Sequence, residues 1–270
     1  MVETNSGDTK ELATRALDRL IAAVEAGQSE QLKAYLAMLA RFHSYSLSNS
    51  LLIMAQFPQA AHVAGYRTWQ KLDRQVRRGS KAIKILAPIM KRNRRAADEE
   101  KTVVAFRTVS VFDVSQTDGR PLPEPALVQG NPGRHVQALK DFVARRNVGL
   151  EYSDSLGSAE GVCLGGSIVL RRGLPPAAEF SVLAHELAHV LLHGGKASPA
   201  MSRTVRETEA EAVAFVVCRA VGLDDNSSAS DYIQLYRGRK ETLVASLERI
   251  RSVATMIIRA ILPEERQAAA

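Results

Sequence analysis

The sequence of 270 residues has two cysteines, one tryptophan and only 5% aromatic residues, and each shortage removes a class of protein. Cys163 and Cys218 stand alone in apolar surroundings, without C-x-x-C spacing. Neither a disulfide framework nor a thiolate zinc site is therefore expected, and both read as buried small hydrophobes. No stretch approaches the roughly 20 apolar residues needed to span a bilayer, so no membrane partner is expected. The polar, acidic start over residues 1–10 lacks the basic and then apolar order of a secretory signal, which points to a cytoplasmic protein.

Charge, by contrast, is plentiful and uneven. The net charge of +7 lies wholly in residues 1–120, with 19 Lys+Arg against 12 Asp+Glu, whereas the remainder holds 17 of each. Between Arg67 and Arg95 the single acid is Asp73. A positive field so concentrated favours polyanions, although a solvated basic surface is the plainer reading.

Apolar periodicity predicts helices over residues 9–26 and from Glu30, then a short buried helix around Leu51-Leu52-Ile53-Met54 that stops at Pro58. Val63–Trp69, Ile83–Leu86, Val103–Phe106 and Val109–Val114 read as strands of a small sheet, with Lys91–Glu100 as an exposed hairpin loop. Residues 119–133 collect four of the ten prolines, a composition that suits an extended spacer. Beyond it come a helix over His135–Arg146 and two short strands about Gly165-Gly166. Further helices follow from Pro175-Pro176 to Gly194-Gly195 and over Thr204–Gly222, with one or two more between Tyr232 and Leu262. The expected fold class is α+β in two domains. A disordered tail (1–8) precedes a small α+β domain (9–118), a linker (119–133), a mostly helical domain with a small sheet (134–263) and a tail (264–270).

The strongest chemical signal is His185-Glu186-x-x-His189, set between Val182-Leu183-Ala184 and Val190-Leu191-Leu192. Four residues apart on a helix, the two rings project about 40° from one another and can grip one ion. Zn2+ is the expected cofactor, with Mn2+ as the alternative. Glu186 falls beside the ion rather than on it, where a carboxylate acts as general base toward water. Catalytic zinc takes three protein ligands and keeps one position open, so a third ligand must come from later in the chain. His193 is too far along the same unbroken helix from His185 to share the ion. Glu207 and Glu211 share a face of the next helix, and Glu209 points elsewhere. Glu207 is taken as the ligand and Glu211 as the acid that orients a ligand histidine, as in gluzincins; Glu211 and Glu209 remain alternative ligands. Thr204-Val205-Arg206-Glu207 also fits a capping box, in which Glu207 would only satisfy a helix start. Tyr232 and His193 are candidates for a donor to the transition state. Cys163–Leu170 is either an internal hairpin or an edge on which an extended peptide lies.

These residues also carry a family resemblance. Tyr45-Ser46 through Asn49, Leu51-Leu52-Ile53 with Gln56-Phe57-Pro58, Val63-Ala64-Gly65-Tyr66 with Trp69, Val76-Arg77-Arg78-Gly79, Ile85-Leu86-Ala87-Pro88 and Val111–Thr117 resemble the N-terminal domain of ArdC-type antirestriction proteins. Leu183–His189 and Glu207–Phe215 resemble the metallopeptidase domain of the same proteins, related to SprT-like and ImmA/IrrE-like zincins. The likeness runs from about Leu12 to Leu262. Asp73 stands where that family has glycine, and Ser80 and Ala82 replace the Glu and Gly of its basic turn.

The resemblance implies a protein of conjugative plasmids that binds single-stranded DNA through its N-terminal domain and protects incoming DNA from host restriction. Single-strand binding uses aromatic platforms beside a cationic groove. Tyr45, Tyr66 and Trp69, with Phe112, are the available rings, beside Arg41, Arg67, Lys71, Arg74, Arg77, Arg78 and Lys81. In a chain so poor in aromatics, each ring serves equally well as core. The expected function is antirestriction by a single-stranded-DNA-binding zinc peptidase of gluzincin type, whose protein substrate the sequence does not identify. Two other readings stay open: a strand-coating protein with a structural or dormant zinc site, and a regulatory protease acting on a repressor or another DNA-bound protein.

Overall fold

A computed structural model describes residues 6–92, 101–121, 131–164, 166–194, 202–223 and 240–262. In chain order come α1 (Ser6–Glu25), α2 (Ser29–Arg41), α3 (Leu47–Gln56), β1 (Val63–Gly65), α4 (Tyr66–Lys71), β2 (Arg74–Val76), β3 (Ile83–Arg92), β4 (Lys101–Asp113) and β5 (Thr117–Gly119). The later half holds α5 (Arg134–Arg145), β6 (Gly149–Ser153), β7 (Gly161–Leu164), β8 (Ser167–Arg171), α6 (Pro176–His193), α7 (Arg203–Ala220) and α8 (Lys240–Ile261). The class is α+β, and the chain forms two compact units.

The first unit contains described residues 6–19 and 45–121. Its main sheet has β4 in the middle, antiparallel to β1 and β3. Ile83 and Ile85, two apart on β3, face inward with Leu51, Leu52 and Ile53 of α3. As an edge strand β3 exposes unpaired backbone groups, which α3 satisfies with two amide side chains. Asn49 accepts from Leu86 N and donates to Leu86 O, both at 2.9 Å. Two helical turns on, Gln56 accepts from Lys84 N at 2.9 Å and donates to Lys84 O at 2.8 Å.

Sequence and structure part at Val63–Trp69, where the strand ends at Gly65 and a short helix follows. Gly65 is the extended residue before that helix, and Asp73 leaves it at φ +55. This left-handed conformation suits glycine, the residue that the resemblance leads one to expect there. The helix turns Trp69 fully inward, with its indole N–H donating to Phe112 O at 2.9 Å. The two runs expected as separate strands over 103–114 are one strand, β4, and β2 pairs with β5 as an additional ribbon. The expected loop at 91–100 and spacer at 119–133 lie largely outside the described residues.

The second unit contains described residues 20–44 and those from 131 onward. Its central element is α7, apolar nearly all round in its second half, with Val205, Ala210 and the whole stretch Ala212–Cys218 buried among α2, α6 and α8. Residues 20–44, which precede the expected boundary at 118, pack in this unit: Leu32, Leu36 and Leu39 of α2 are buried on the side that meets α7. Residues 6–8 of the expected tail lie in α1, which is described from Ser6, and residues 1–5 lie outside the described residues. A three-stranded sheet places β8 between β6, which runs parallel to it, and β7, which runs antiparallel. Helix α6 begins with Pro176 at its first position and buries Phe180, Leu183, Ala184, Leu187 and Ala188, a 3–4 spacing that leaves His185 and His189 on another face. Its first turn is tied down by Glu179, whose Oε1 accepts from Tyr152 of β6 at 2.6 Å and from Lys140 of α5 at 2.8 Å. Among the described residues no helix is long and apolar enough to cross a membrane.

Candidate functional site

His185 and His189 of α6 meet Glu207 of α7. The Nε2 atoms of the two histidines are 3.1 Å apart, and Glu207 Oε2 lies 3.2 Å from His189 Nε2 and 3.7 Å from His185 Nε2. Ligand bonds of about 2.0–2.1 Å at tetrahedral angles put donor atoms about 3.3–3.4 Å apart. The observed separations straddle that spacing, so this donor set fits a small divalent cation. Glu211, one turn beyond Glu207, approaches the other nitrogen of His185, with Oε2 3.4 Å from Nδ1. A carboxylate there fixes the tautomer that leaves Nε2 as the free donor.

The capping-box reading of Glu207 does not hold. Ser202 caps α7, accepting from Val205 N at 3.3 Å, and Glu207 sits farther along the helix with its carboxylate turned to the histidines. Glu209 faces the opposite way, fully buried, ion-paired with Arg249 of α8 and 3.8 Å from His193 Nε2. Both alternatives drawn from sequence, Glu209 as ligand and His193 as transition-state donor, thus point into a separate ionic cluster. Tyr232 lies outside the described residues.

Charge around the two histidines is asymmetric. Burial pulls the His185 ring down, but Glu211, Glu186 and Glu207 outweigh it and hold the ring above the ordinary histidine range. His189 is held below that range by burial and by the charge on His185. Glu186 is 8% exposed. Burial, helped by Glu207 and opposed by His185, raises its carboxyl above the usual carboxylate range. Such a group takes up a proton more readily than an exposed acid, as a general base must.

The packing around Glu186 includes residues that sequence reasoning missed. A Cβ built on Gly161 of β7 would stand 3.0 Å from Glu186 Cγ and 2.5 Å from Val182 Cγ1, so only glycine fits between strand and helix without displacement. Cys163, two residues along the same strand, has its thiol pushed up by burial and further by the Glu186 charge. Among the described residues β7 pairs with β8 alone, so its other edge is unpaired. No local pattern in the sequence marks Gly161, because its role arises from sheet-to-helix packing.

The residues expected to bind DNA separate into groups. Tyr66, 43% exposed, lines a cleft of about 620 Å³ with Phe112, Arg77, Arg78, Gln75 and Asp118. Arg67, Lys71 and Lys81 are exposed on the same unit. Trp69 is excluded as a stacking platform by its complete burial. Tyr45 is half-buried and donates to Val63 O at 3.3 Å. Arg74 is engaged with Thr117 Oγ1 at 2.7 Å and with the carbonyl oxygens of Thr117 and Arg120, and Arg77 with the Ser115 carbonyl. Arg41 belongs to the second unit.

Residues 10–112 match the family model for the N-terminal domain of anti-restriction factor ArdC, and residues 138–218 match the IrrE N-terminal-like domain, a peptidase-family model. An uncharacterized Bacillus anthracis protein, pXO2-81, is 26% identical over 244 aligned positions that cover 72% of this chain; the chain spans 41% of that relative's length. The crystal structure of antirestriction ArdC from plasmid R388 shares the fold at 18% identity. Its metal-free form superposes with a TM-score of 0.53 over 93% of this chain and 97% of that one. The Mn(II)-bound form gives 0.57 over 93% and 98%. Residues 10–112 thus belong to the ArdC N-terminal domain family and residues 138–218 to the IrrE-like, peptidase-family domain, on a fold shared with ArdC over nearly the whole length.

Proposed function

We propose that this protein binds single-stranded DNA and carries a divalent-metal peptidase centre, and that it protects incoming plasmid DNA from restriction in the cytoplasm of a conjugal recipient. The observation that carries the reading is the convergence of His185 Nε2, His189 Nε2 and Glu207 Oε2 to separations of 3.1–3.7 Å, with a buried Glu186 beside them. These three residues hold the ion, zinc in preference or manganese, and Glu211 positions His185. Bound there, the metal supplies a Lewis acid and acidifies water to near neutrality.

The chain's own residues do the rest. Glu186 accepts a proton from the attacking water and returns it to the leaving amine, a task its raised proton affinity favours. The unpaired edge of β7, with Gly161 against Glu186, offers backbone groups on which an extended peptide aligns its scissile bond. In the first unit Tyr66 and Phe112 supply base-stacking rings, with Arg78 and the exposed Arg67, Lys71 and Lys81 for phosphates.

The test is Glu186→Gln in the full chain, loaded with zinc or manganese and assayed with oligothymidylate and labelled casein. Proteolysis and protection in a conjugation assay should fall by about 10²-fold or more, with metal content and DNA affinity kept. Undiminished proteolysis and protection would overturn the peptidase reading. Protection without any wild-type proteolysis would instead leave a strand-coating protein.

A further inference from the structure

The second unit contains a basic cavity remote in sequence from the metal motif. Arg251, Ser252, Thr255, Met256 and Arg259 form one face of α8 at i, i+1, i+4, i+5 and i+8 spacing, and they enclose about 430 Å³ with His43 and Ser44, the residues just past the end of α2. Thr255 Oγ1 donates to His43 O at 2.7 Å and fixes that segment against the helix. None of the lining residues is acidic. Glu248 on α8 accepts from Arg251 Nε at 2.9 Å, which occupies one of the five donors of that guanidinium.

A basic helix face alone would be a solvated surface, but the wall opposite is not built like one. His43 is 7% exposed, and neither its Nε2 nor the Ser44 hydroxyl has a hydrogen-bond partner among the described residues. Buried polar atoms are almost always paired, so an unpaired ring nitrogen and hydroxyl facing two guanidinium groups mark a place where a partner belongs. Burial and the Arg259 charge, against the opposing pull of the Ala40 carbonyl, hold the ring below the ordinary histidine range. An entering anion meets the Ser44 and Ser252 hydroxyls and two guanidinium cations.

We propose that this cavity binds the phosphate group of a nucleotide-sized anion. Planar guanidinium forks match phosphate oxygens in bidentate fashion, hydroxyls complete the shell of a tetrahedral oxyanion, and the volume suits a ligand larger than bare phosphate. A free mononucleotide and one nucleotide of a DNA strand present the same group. The site shares no residue with the metal centre or the Tyr66 cleft and does not depend on the function proposed for them.

Titration calorimetry on the full chain at fixed ionic strength, with inorganic phosphate, thymidine 5′-monophosphate and an eight-residue oligothymidylate, tests this. The monophosphate should bind to wild-type protein, and at least tenfold more weakly to Arg251→Ala/Arg259→Ala. Loss of the mononucleotide alone identifies a free nucleotide as the ligand; parallel loss of the oligonucleotide identifies the strand. Equal binding by the wild type and the Arg251/Arg259 variant would overturn the proposal. Should that variant not fold, the ring signals of His43, one of six histidines, decide the matter in wild-type protein. A shift on adding the monophosphate supports the site, and unmoved signals at saturation reject it.

Discussion

Gly161 on β7 stands against Glu186 on α6 so closely that a single methyl group at position 161 would overlap the helix, 2.5 Å from Val182 Cγ1 and 3.0 Å from Glu186 Cγ. The strand thereby fixes the position of the proposed proton acceptor. Gly161→Ala should leave the metal ligands intact and move the Glu186 carboxylate, and misplacing a catalytic group by about 1 Å can cost on the order of 10²-fold in rate. Because the tightest contact is to Val182, adding Val182→Ala should restore much of the loss. Casein hydrolysis by the single and double variants, with metal content measured alongside, checks both steps. A single variant as active as wild type would remove Gly161 from the argument.

Glu211 and Glu207 differ in what they touch, and their variants should differ accordingly. Glu207 offers Oε2 to both histidine Nε2 atoms, whereas Glu211 approaches the other ring nitrogen of His185, Nδ1, at 3.4 Å. Orienting partners of metal-bound histidines typically contribute 10–100-fold in metal affinity. Glu211→Gln is expected to fall in that range, and Glu207→Gln to lose more because it removes a ligand charge. Competition against a chromogenic chelator gives both values. If Glu211→Gln binds zinc as tightly as wild type, that carboxylate does not orient His185.

The candidate metal-binding cluster was legible because its signal is local. His185 and His189 are four residues apart on a strongly apolar helix, and the helical period alone separates Glu207 and Glu211 from Glu209. What covers an amphipathic face is not local. The pattern of α2 predicts a helix but is silent on whether Leu32, Leu36 and Leu39 face the sheet of the first unit or α7 of the second. The same limit hid the fate of the basic residues. Arg74 and Arg77 add to a sequence count of cations, yet their guanidinium groups are turned to carbonyl oxygens near β5. Trp69 was ambiguous for a related reason: one ring serves core or DNA equally well until the backbone decides which way it points. Here a short helix in place of an expected strand decides it.

Glu179 gives the second unit a pH dependence of definite sign. Burial alone would raise its carboxyl, but hydrogen bonds from Lys140 and Tyr152, with the Lys140 charge, outweigh burial and hold it below its ordinary value of 4.5. A folded-state value below the unfolded one means that this stabilisation is complete above about pH 4.5 and disappears as pH falls through the folded value. Glu179→Gln should therefore be less stable than wild type at pH 7, and the gap should narrow as pH falls below 4.5. Urea unfolding at pH 7, 5, 4 and 3.5 measures it. A gap that is the same at every pH would show that the three-residue cluster contributes packing only.

Tyr66 and Trp69 lie three residues apart on one short helix but should respond to mutation in opposite ways. Tyr66 is 43% exposed in a cleft with Phe112, Arg77 and Arg78, whereas Trp69 is wholly buried and donates to Phe112 O. Stacking of a base on an exposed ring contributes about 1–3 kcal/mol, so Tyr66→Ala should weaken oligothymidylate binding roughly 5- to 150-fold with little change in melting temperature. Trp69→Phe loses buried volume and leaves the Phe112 carbonyl without its donor, a cost on the order of 2 kcal/mol in stability. Its affinity for DNA, measured on folded protein, should stay near wild type. Arg78→Ala should weaken binding to all strands and reduce the slope of log affinity against log salt by about one, as loss of one phosphate contact requires. Fluorescence anisotropy at several salt concentrations, beside thermal melts, separates these outcomes. If Trp69→Phe abolished binding at unchanged stability while Tyr66→Ala did nothing, the strand would have to run elsewhere on the unit.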